Sequence, residues 1–310
     1  MLKKLAVFCL VTMLFAGLLA SCGKNPSSTT TASPLVVTDQ LGRTVTLTTG
    51  APQRIISLAP SNTEILYALG LGDRIAGVSQ YSDYPPEATA KPNVGAYDTP
   101  NLEQIIALNP DLVLGTEVHQ TTLIPELESR GIPAIALSPQ TLDEVIASIT
   151  LVGKATGAVK EAAKLTASMQ KRIKAVTDKT AALTADKKPG VFYVLWNDPL
   201  MTVGQGTFID ELITKGGGVN IFGDKPSYPT VSMENVLTAN PQVIIAGSGM
   251  GEGEDLPFTF ASTEPLLKDT DARKNGRVYS VNTDLTGRPG PRLVDALEQF
   301  FKIIHPELQP

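Results

Sequence analysis

The sequence predicts an α/β protein built from two Rossmann-like lobes joined by a single long helix. Three observations carry this prediction. Short apolar strands alternate with helical runs in both halves of the chain, the rhythm of parallel sheets with covering helices. A run from Val159 to about Ala185, free of Pro and Gly, separates the halves. One long pattern occurs once on each side of that run.

The chain opens with Lys3 and Lys4, then an apolar stretch from Leu5 to Leu18 broken only by Thr12 and Gly17. This is short for a membrane span and reads as the core of a signal peptide. It ends in Leu19-Ala20-Ser21-Cys22, which resembles the lipobox of bacterial lipoproteins. That resemblance implies removal of residues 1–21 and lipidation of Cys22. An ordinary secretory signal or an uncleaved anchor is the alternative. The only other cysteine, Cys9, lies in the segment to be removed, so the mature chain has no internal disulfide. Asn25 to Ser33 is mostly Pro, Ser and Thr, so residues 22–34 are expected to form a flexible, lipid-anchored tether.

About 280 residues remain, enough for two modest domains. The formal net charge of −5 gives no sign of a nucleic-acid partner. With only His119 and His305, a histidine-rich zinc or manganese trap is disfavoured.

Residues 35–157 are read as the N-terminal lobe. Val36–Thr38 and Thr44–Thr46 form a hairpin signal around Gln40-Leu41-Gly42. A strand at Arg54–Leu58 is followed by a helix from about Thr63 to Leu69, with Ser61 or Asn62 as its cap. A strand at Ile75–Val78 follows. The alternation continues with a helix at Leu102–Leu108 and a strand at Leu112–Leu114. A helix at Leu123–Ser129, a strand at Ile135–Leu137 and a helix at Leu142–Thr156 complete it. Residues 158–187 are the linking helix, roughly 40 Å long if helical to Ala185. Residues 188–310 are the C-terminal lobe. It has strands at Val191–Leu195, Val243–Ile245 and Val278–Val281, and helices at Ile209–Thr214, Val236–Thr238 and Leu293–Ile303.

The repeated pattern is Asn101–Leu114 against Ser232–Ile245. Each copy reads cap, apolar residue, Glu, apolar helix, Asn-Pro, strand. Glu103 and Glu234 thus fall in equivalent places, one per lobe. Each sits in a first helical turn, where a carboxylate also favours the helix dipole. A weaker echo links Thr63–Val78 with Thr207–Phe222. Two such lobes facing each other create a cleft beyond the strand carboxyl ends.

Several residues are placed near that cleft by position alone. Trp196 follows a strand, although it could equally pack the core. Asp284, Arg288 and Arg292 precede the last helix and could hydrogen-bond a ligand's amides or carboxylates. His119 follows Leu112–Gly115; it is a weak candidate to ligate a metal centre and more often such a residue is plain loop. Neither histidine belongs to a triad motif, and Gly204-Gln205-Gly206 matches no phosphate loop, so no enzyme activity is expected.

Arg54–Glu64, Tyr81-Ser82-Asp83-Tyr84-Pro85-Pro86, Asn101-Leu102-Glu103, Asn109–Val113 and Gly216–Phe222 together resemble the periplasmic-binding proteins of iron-siderophore, haem and vitamin B12 importers. The likeness is greatest to the vitamin B12 (cobalamin) binders. It implies a class III solute-binding protein, lipid-anchored at the outer face of the cytoplasmic membrane. It also implies an ABC permease dimer with its ATPase as partner, docked through Glu103 and Glu234. The expected ligand is a corrinoid, or a ferric siderophore or haem, with no catalytic cofactor and a monomeric chain. The positions matching the corrinoid-packing aromatics are Tyr81, Tyr97, Met201 and Tyr228. Met201 and Tyr228 stand where the family has larger aromatics.

Overall fold

A computed structural model describes residues 34–48, 50–249 and 255–308. The expected signal peptide 1–21, Cys22 and the tether up to residue 33 lie outside the described residues. The N-terminal half runs β1 (Leu35–Thr38), β2 (Thr44–Leu47), β3 (Ile55–Ser57), α1 (Pro60–Ala68), β4 (Ile75–Val78), α2 (Leu102–Ala107), β5 (Leu112–Gly115), α3 (Leu123–Ser129), β6 (Ala134–Ala136) and α4 (Leu142–Thr156). The long helix is α5 (Val159–Ala181). The C-terminal half runs β7 (Gly190–Val194), β8 (Trp196–Asn197), β9 (Leu200–Met201), α6 (Phe208–Lys215), β10 (Val219–Asn220), α7 (Met233–Ala239), β11 (Val243–Ser248), α8 (Leu256–Thr263), α9 (Asp271–Lys274), β12 (Val278–Asn282), α10 (Thr283–Gly287) and α11 (Leu293–Ile304).

The two main sheets are parallel and share one plan. Their strand orders are β4-β3-β5-β6 and β10-β7-β11-β12. In each, the order reverses between the first and third strands of the sheet in chain order, β3/β5 and β7/β11. Such a reversal opens a crevice beyond the carboxyl ends of the strands. Both faces of each sheet are covered, so the strands read as apolar runs rather than alternating ones. The side chains still alternate between two cores. Leu112 and Leu114 of β5 enter a core that continues through α5 into the other lobe, while Val113 enters a separate one under α2 and α3. In β11, Val243 and Ile245 join the shared core, and Ile244 and Ala246 join a third under α7 and α8.

The helix α5 bridges the lobes because one stripe of it is buried. Ala162, Thr166, Met169, Ile173, Val176 and Thr180 recur every three or four residues. At its start it lies so close to α4 that a Cβ on Gly153 would sit 2.4 Å from that of Ala162. Further along, Arg172 donates to Glu298 of α11 at 2.8 and 2.7 Å and to Asp295 at 2.5 Å. The helix ends at Ala181, short of the expected Ala185, and spans about 34 Å. A separate 3₁₀ turn covers Ala185–Lys187. Thr180 donates to the carbonyl of Lys215 at the end of α6, so the stop comes from docking on the second lobe and not from a local breaker. The two-residue strands β8, β9 and β10 and the helices α8, α9 and α10 were not expected. Among the described residues no helix is long and apolar enough to cross a membrane.

Candidate functional site

A cavity of about 420 Å³ lies between the lobes. All four strand ends of the N-terminal sheet feed it. Ala59–Asn62 follow β3, Gln80 and Tyr81 follow β4, Thr116 and Glu117 follow β5, and Leu137–Gln140 follow β6. Across from them stand Gly206–Phe208 at the start of α6, Tyr228, and Gly287–Pro289 before α11. The starts of α1 and α6, related by the weaker sequence echo, thus face one space. Asn62 is not the cap of α1. Ala59 takes that place, Pro60 begins the helix, and the Asn62 amide donates to the carbonyls of Gly115 at 3.1 Å and Leu114 at 3.3 Å.

Three tyrosines line the cavity. Tyr81 is 70% exposed and has a φ of 65°, a left-handed backbone that costs a non-glycine residue about 1–2 kcal/mol. Its loop is held by a buried hydroxyl chain. Ser57 and Thr63 are 2.8 Å apart, Thr63 donates to Ser82 at 3.2 Å, and Ser82 lies 3.3 Å from Ser79. Tyr228, 53% exposed, faces it from the other lobe, and partial burial raises its phenol above the ordinary value. Tyr97 accepts a hydrogen bond from the Thr116 hydroxyl at 3.1 Å, and burial raises its phenol too.

His119 is not free to hold a metal. It is buried, its Nδ1 accepts from the Thr116 amide at 3.0 Å, and its Nε2 reaches the Tyr97 carbonyl at 2.7 Å. The two contacts define one neutral tautomer, Nε2–H, and burial lowers its pKa. Its ring meets that of Tyr97 edge-on at 5.7 Å. The candidate ligand is therefore a brace beneath Tyr97. Among the described residues no group of three or more metal-ligating side chains gathers.

Trp196, Met201 and Asp284 do not line the cavity. Trp196 pairs with Met201 in the β8–β9 hairpin, and its indole donates to the carbonyl of Asp198 at 2.9 Å. Asp284 bonds Arg288 at 2.8 Å. Arg288 does line the cavity, but it also contacts Asp83 at 2.5 Å and Glu64 at 3.8 Å. Arg292 does not line the cavity. It makes a two-pronged bond to Glu64, at 2.9 and 2.6 Å, and lies 3.8 Å from the centre of the Tyr84 ring. Glu64 is only 3% exposed; desolvation raises its carboxyl above the ordinary value and the two guanidiniums oppose this. Asp83 is lowered, chiefly by its bond to Arg288. Glu64 and Asp83 belong to the first lobe and Arg288 and Arg292 to the second, so this cluster clasps the lobes beside the cavity. Glu117 in the cavity lining and Glu64 in the clasp are positions that sequence reasoning did not single out for the site. Glu117 had a signal, standing just past the strand end that drew attention to His119.

Glu103 and Glu234 are both exposed, and neither appears in an ion pair or side-chain hydrogen bond among the described residues. Asn101 caps α2 by accepting from the Gln104 amide, and Ser232 caps α7 by accepting from Asn235. The two helices end alike, with Asn109 and Asn240 at φ 48° and 43° before proline.

A family model described as periplasmic binding protein matches residues 55–285. An uncharacterised ABC transporter substrate-binding lipoprotein of Bacillus subtilis (strain 168) is 32% identical over 99% of both chains. The crystal structure of the periplasmic vitamin B12 binding protein of Vibrio cholerae is 33% identical, with a TM-score of 0.68 over 83% of this chain and 99% of that one. A periplasmic haem-binding protein from Roseiflexus sp. RS-1, in apo form, is 28% identical with a TM-score of 0.71, over 84% of this chain and 100% of the other.

Proposed function

This chain belongs to the periplasmic binding protein family, and on that footing we propose that it is the substrate-binding subunit of an ABC importer, carrying a corrinoid of the cobalamin type. The observation that carries the ligand class is the charge of the cavity. Among the described residues its one guanidinium, Arg288, is already matched by Asp83, Asp284 and Glu64. A ligand that presents several negative charges finds no unpaired cation among the described residues there. A corrinoid ring with amide arms asks instead for flat apolar faces and neutral hydrogen-bonding groups. Tyr81, Tyr97 and Tyr228 supply the first, and Ser61, Thr116, Ser138 and Gln140 the second. The competing reading is haem or a ferric siderophore. The same phenols favour it, because tyrosine is a known ligand of haem iron.

In this reading residues 1–21 are removed and Cys22 carries lipid. Residues 22–34 tether lobes 35–157 and 188–310, joined through 158–187, to the outer face of the cytoplasmic membrane. The chain acts as a monomer, without catalysis, and Glu103 and Glu234 meet the two halves of the permease, whose ATPase is a separate partner. Trp196 and Met201 act on ligand only if it extends beyond the cavity to the β8–β9 hairpin, and Asp284 acts by holding Arg288.

Tyr81→Gly tests the site. Loss of the ring is expected to cost about 1.5–3 kcal/mol of cyanocobalamin binding, tenfold or more in Kd. Thermal stability should hold within about 1 kcal/mol, because glycine tolerates the left-handed backbone. Unchanged affinity by equilibrium dialysis would remove Tyr81 from the ligand surface.

A further inference from the structure

Among the described residues only two that line the cavity carry charge, Glu117 and Arg288. Their situations differ. Arg288 sits inside the clasp, where Glu64, Asp83 and Asp284 face Arg288 and Arg292. Three carboxylates against two guanidiniums leave that cluster one negative charge in excess. Glu117 is exposed and has no ion-pair partner among the described residues. It is also well anchored. It starts the 3₁₀ turn Glu117–His119, whose ends are joined by the bond from the Thr116 amide to His119 and whose far side is bonded to the Tyr97 carbonyl. The turn therefore sets the Glu117 backbone at the cavity wall beside Tyr97, and the field of its carboxylate contributes to raising the Tyr97 phenol.

We infer that Glu117 sets the charge selectivity of this cavity, favouring cationic over neutral ligands and neutral over anionic ones of the same shape. The inference rests on the reading that this cavity holds the ligand, and it does not require that ligand to be a corrinoid. An unpaired carboxylate beside a partly enclosed ligand acts through a dielectric below that of water, so a single ligand charge is felt. The electrostatic cost is paid by anions and returned to cations, and salt screens it.

Three probes separate the outcomes. Cyanocobalamin is neutral, its cobalt(III) balanced by the corrin ring, cyanide and phosphodiester. Aquacobalamin has water in place of cyanide and carries one positive charge below the pH at which that water ionises. Haemin brings two propionates. Kd is measured for each with the protein and its Glu117→Gln and Glu117→Lys variants, at low and high salt. The aquacobalamin preference over cyanocobalamin is expected to fall about fivefold in Glu117→Gln at low salt, to fall further in Glu117→Lys, and to depend less steeply on salt in Glu117→Gln. If both corrinoids bind and this ratio is the same in all three proteins, the selectivity role is wrong and the corrinoid reading stands. If only haemin binds and the variants tighten it, the corrinoid reading fails and the selectivity role stands. If only haemin binds and its Kd is unmoved, both fail. If none of the three binds, the cavity is not their site and the inference falls with it.

Discussion

Arg292→Ala is expected to destabilise the protein by about 3 kcal/mol at neutral pH, the lower end of what breaking a buried ion pair costs. The reason is Glu64. Its carboxylate is almost fully buried at the lobe junction, and Arg292 holds both of its oxygens. Removing the guanidinium leaves a desolvated charge with only Arg288, 3.8 Å away, to offset it. The loss should depend on pH in a defined direction. Desolvation already raises the Glu64 carboxyl in the folded state, and without Arg292 it rises further. A carboxyl raised on folding gives stability that is present below its unfolded pKa, about 4.3, and lost as pH rises through the folded value. The variant's deficit should therefore be small near that pH and full above neutrality. Adding Glu64→Gln should restore most of the stability at neutral pH. Denaturant melts of the three proteins across this range check it. A deficit independent of pH, or no recovery with Glu64→Gln, would mean that Arg292 acts through packing alone. The Asp83–Arg288 bond works in the opposite sense. Asp83 is lowered on folding, so its contribution is present above its unfolded pKa and is lost as pH falls through the folded one.

The double variant Glu103→Ala, Glu234→Ala is expected to keep its ligand affinity and to lose ligand uptake by at least about tenfold when reconstituted with its transporter. Both carboxylates are exposed, unpaired among the described residues, and not part of the cavity lining. If they served only the dipoles of α2 and α7, their loss would cost about 0.3–1 kcal/mol of stability each and leave uptake unchanged. Uptake at the level of the parent protein would remove the docking role.

The fold was legible where local chemistry repeats. The pattern Asn101–Leu114 and its partner Ser232–Ile245 give α2–β5 and α7–β11, with side-chain caps at both starts and a left-handed asparagine at both ends. The bridging role of α5 followed from a long run without breakers. Its end at Ala181 did not, because contact with α6 sets it. The strands β8, β9 and β10 are two residues long, too short for a period to show. At the site, Tyr81, Tyr97, Tyr228 and Arg288 do gather around one cavity. What the sequence could not show is which groups neutralise Arg288. Asp83 lies 205 positions away and Glu64 lies 228 positions from Arg292, and no local pattern joins them. His119 illustrates the same limit, since only the fold shows both of its nitrogens engaged.

The most direct test is a calorimetric titration of the protein with cyanocobalamin, with a ferric siderophore and haemin run in parallel. Saturable one-to-one binding of cyanocobalamin is expected, weakened in Tyr81→Gly, with weaker binding of the anionic ligands. Tight binding of haemin or the siderophore with none of cyanocobalamin would contradict the corrinoid assignment and turn attention to the three phenols as iron ligands.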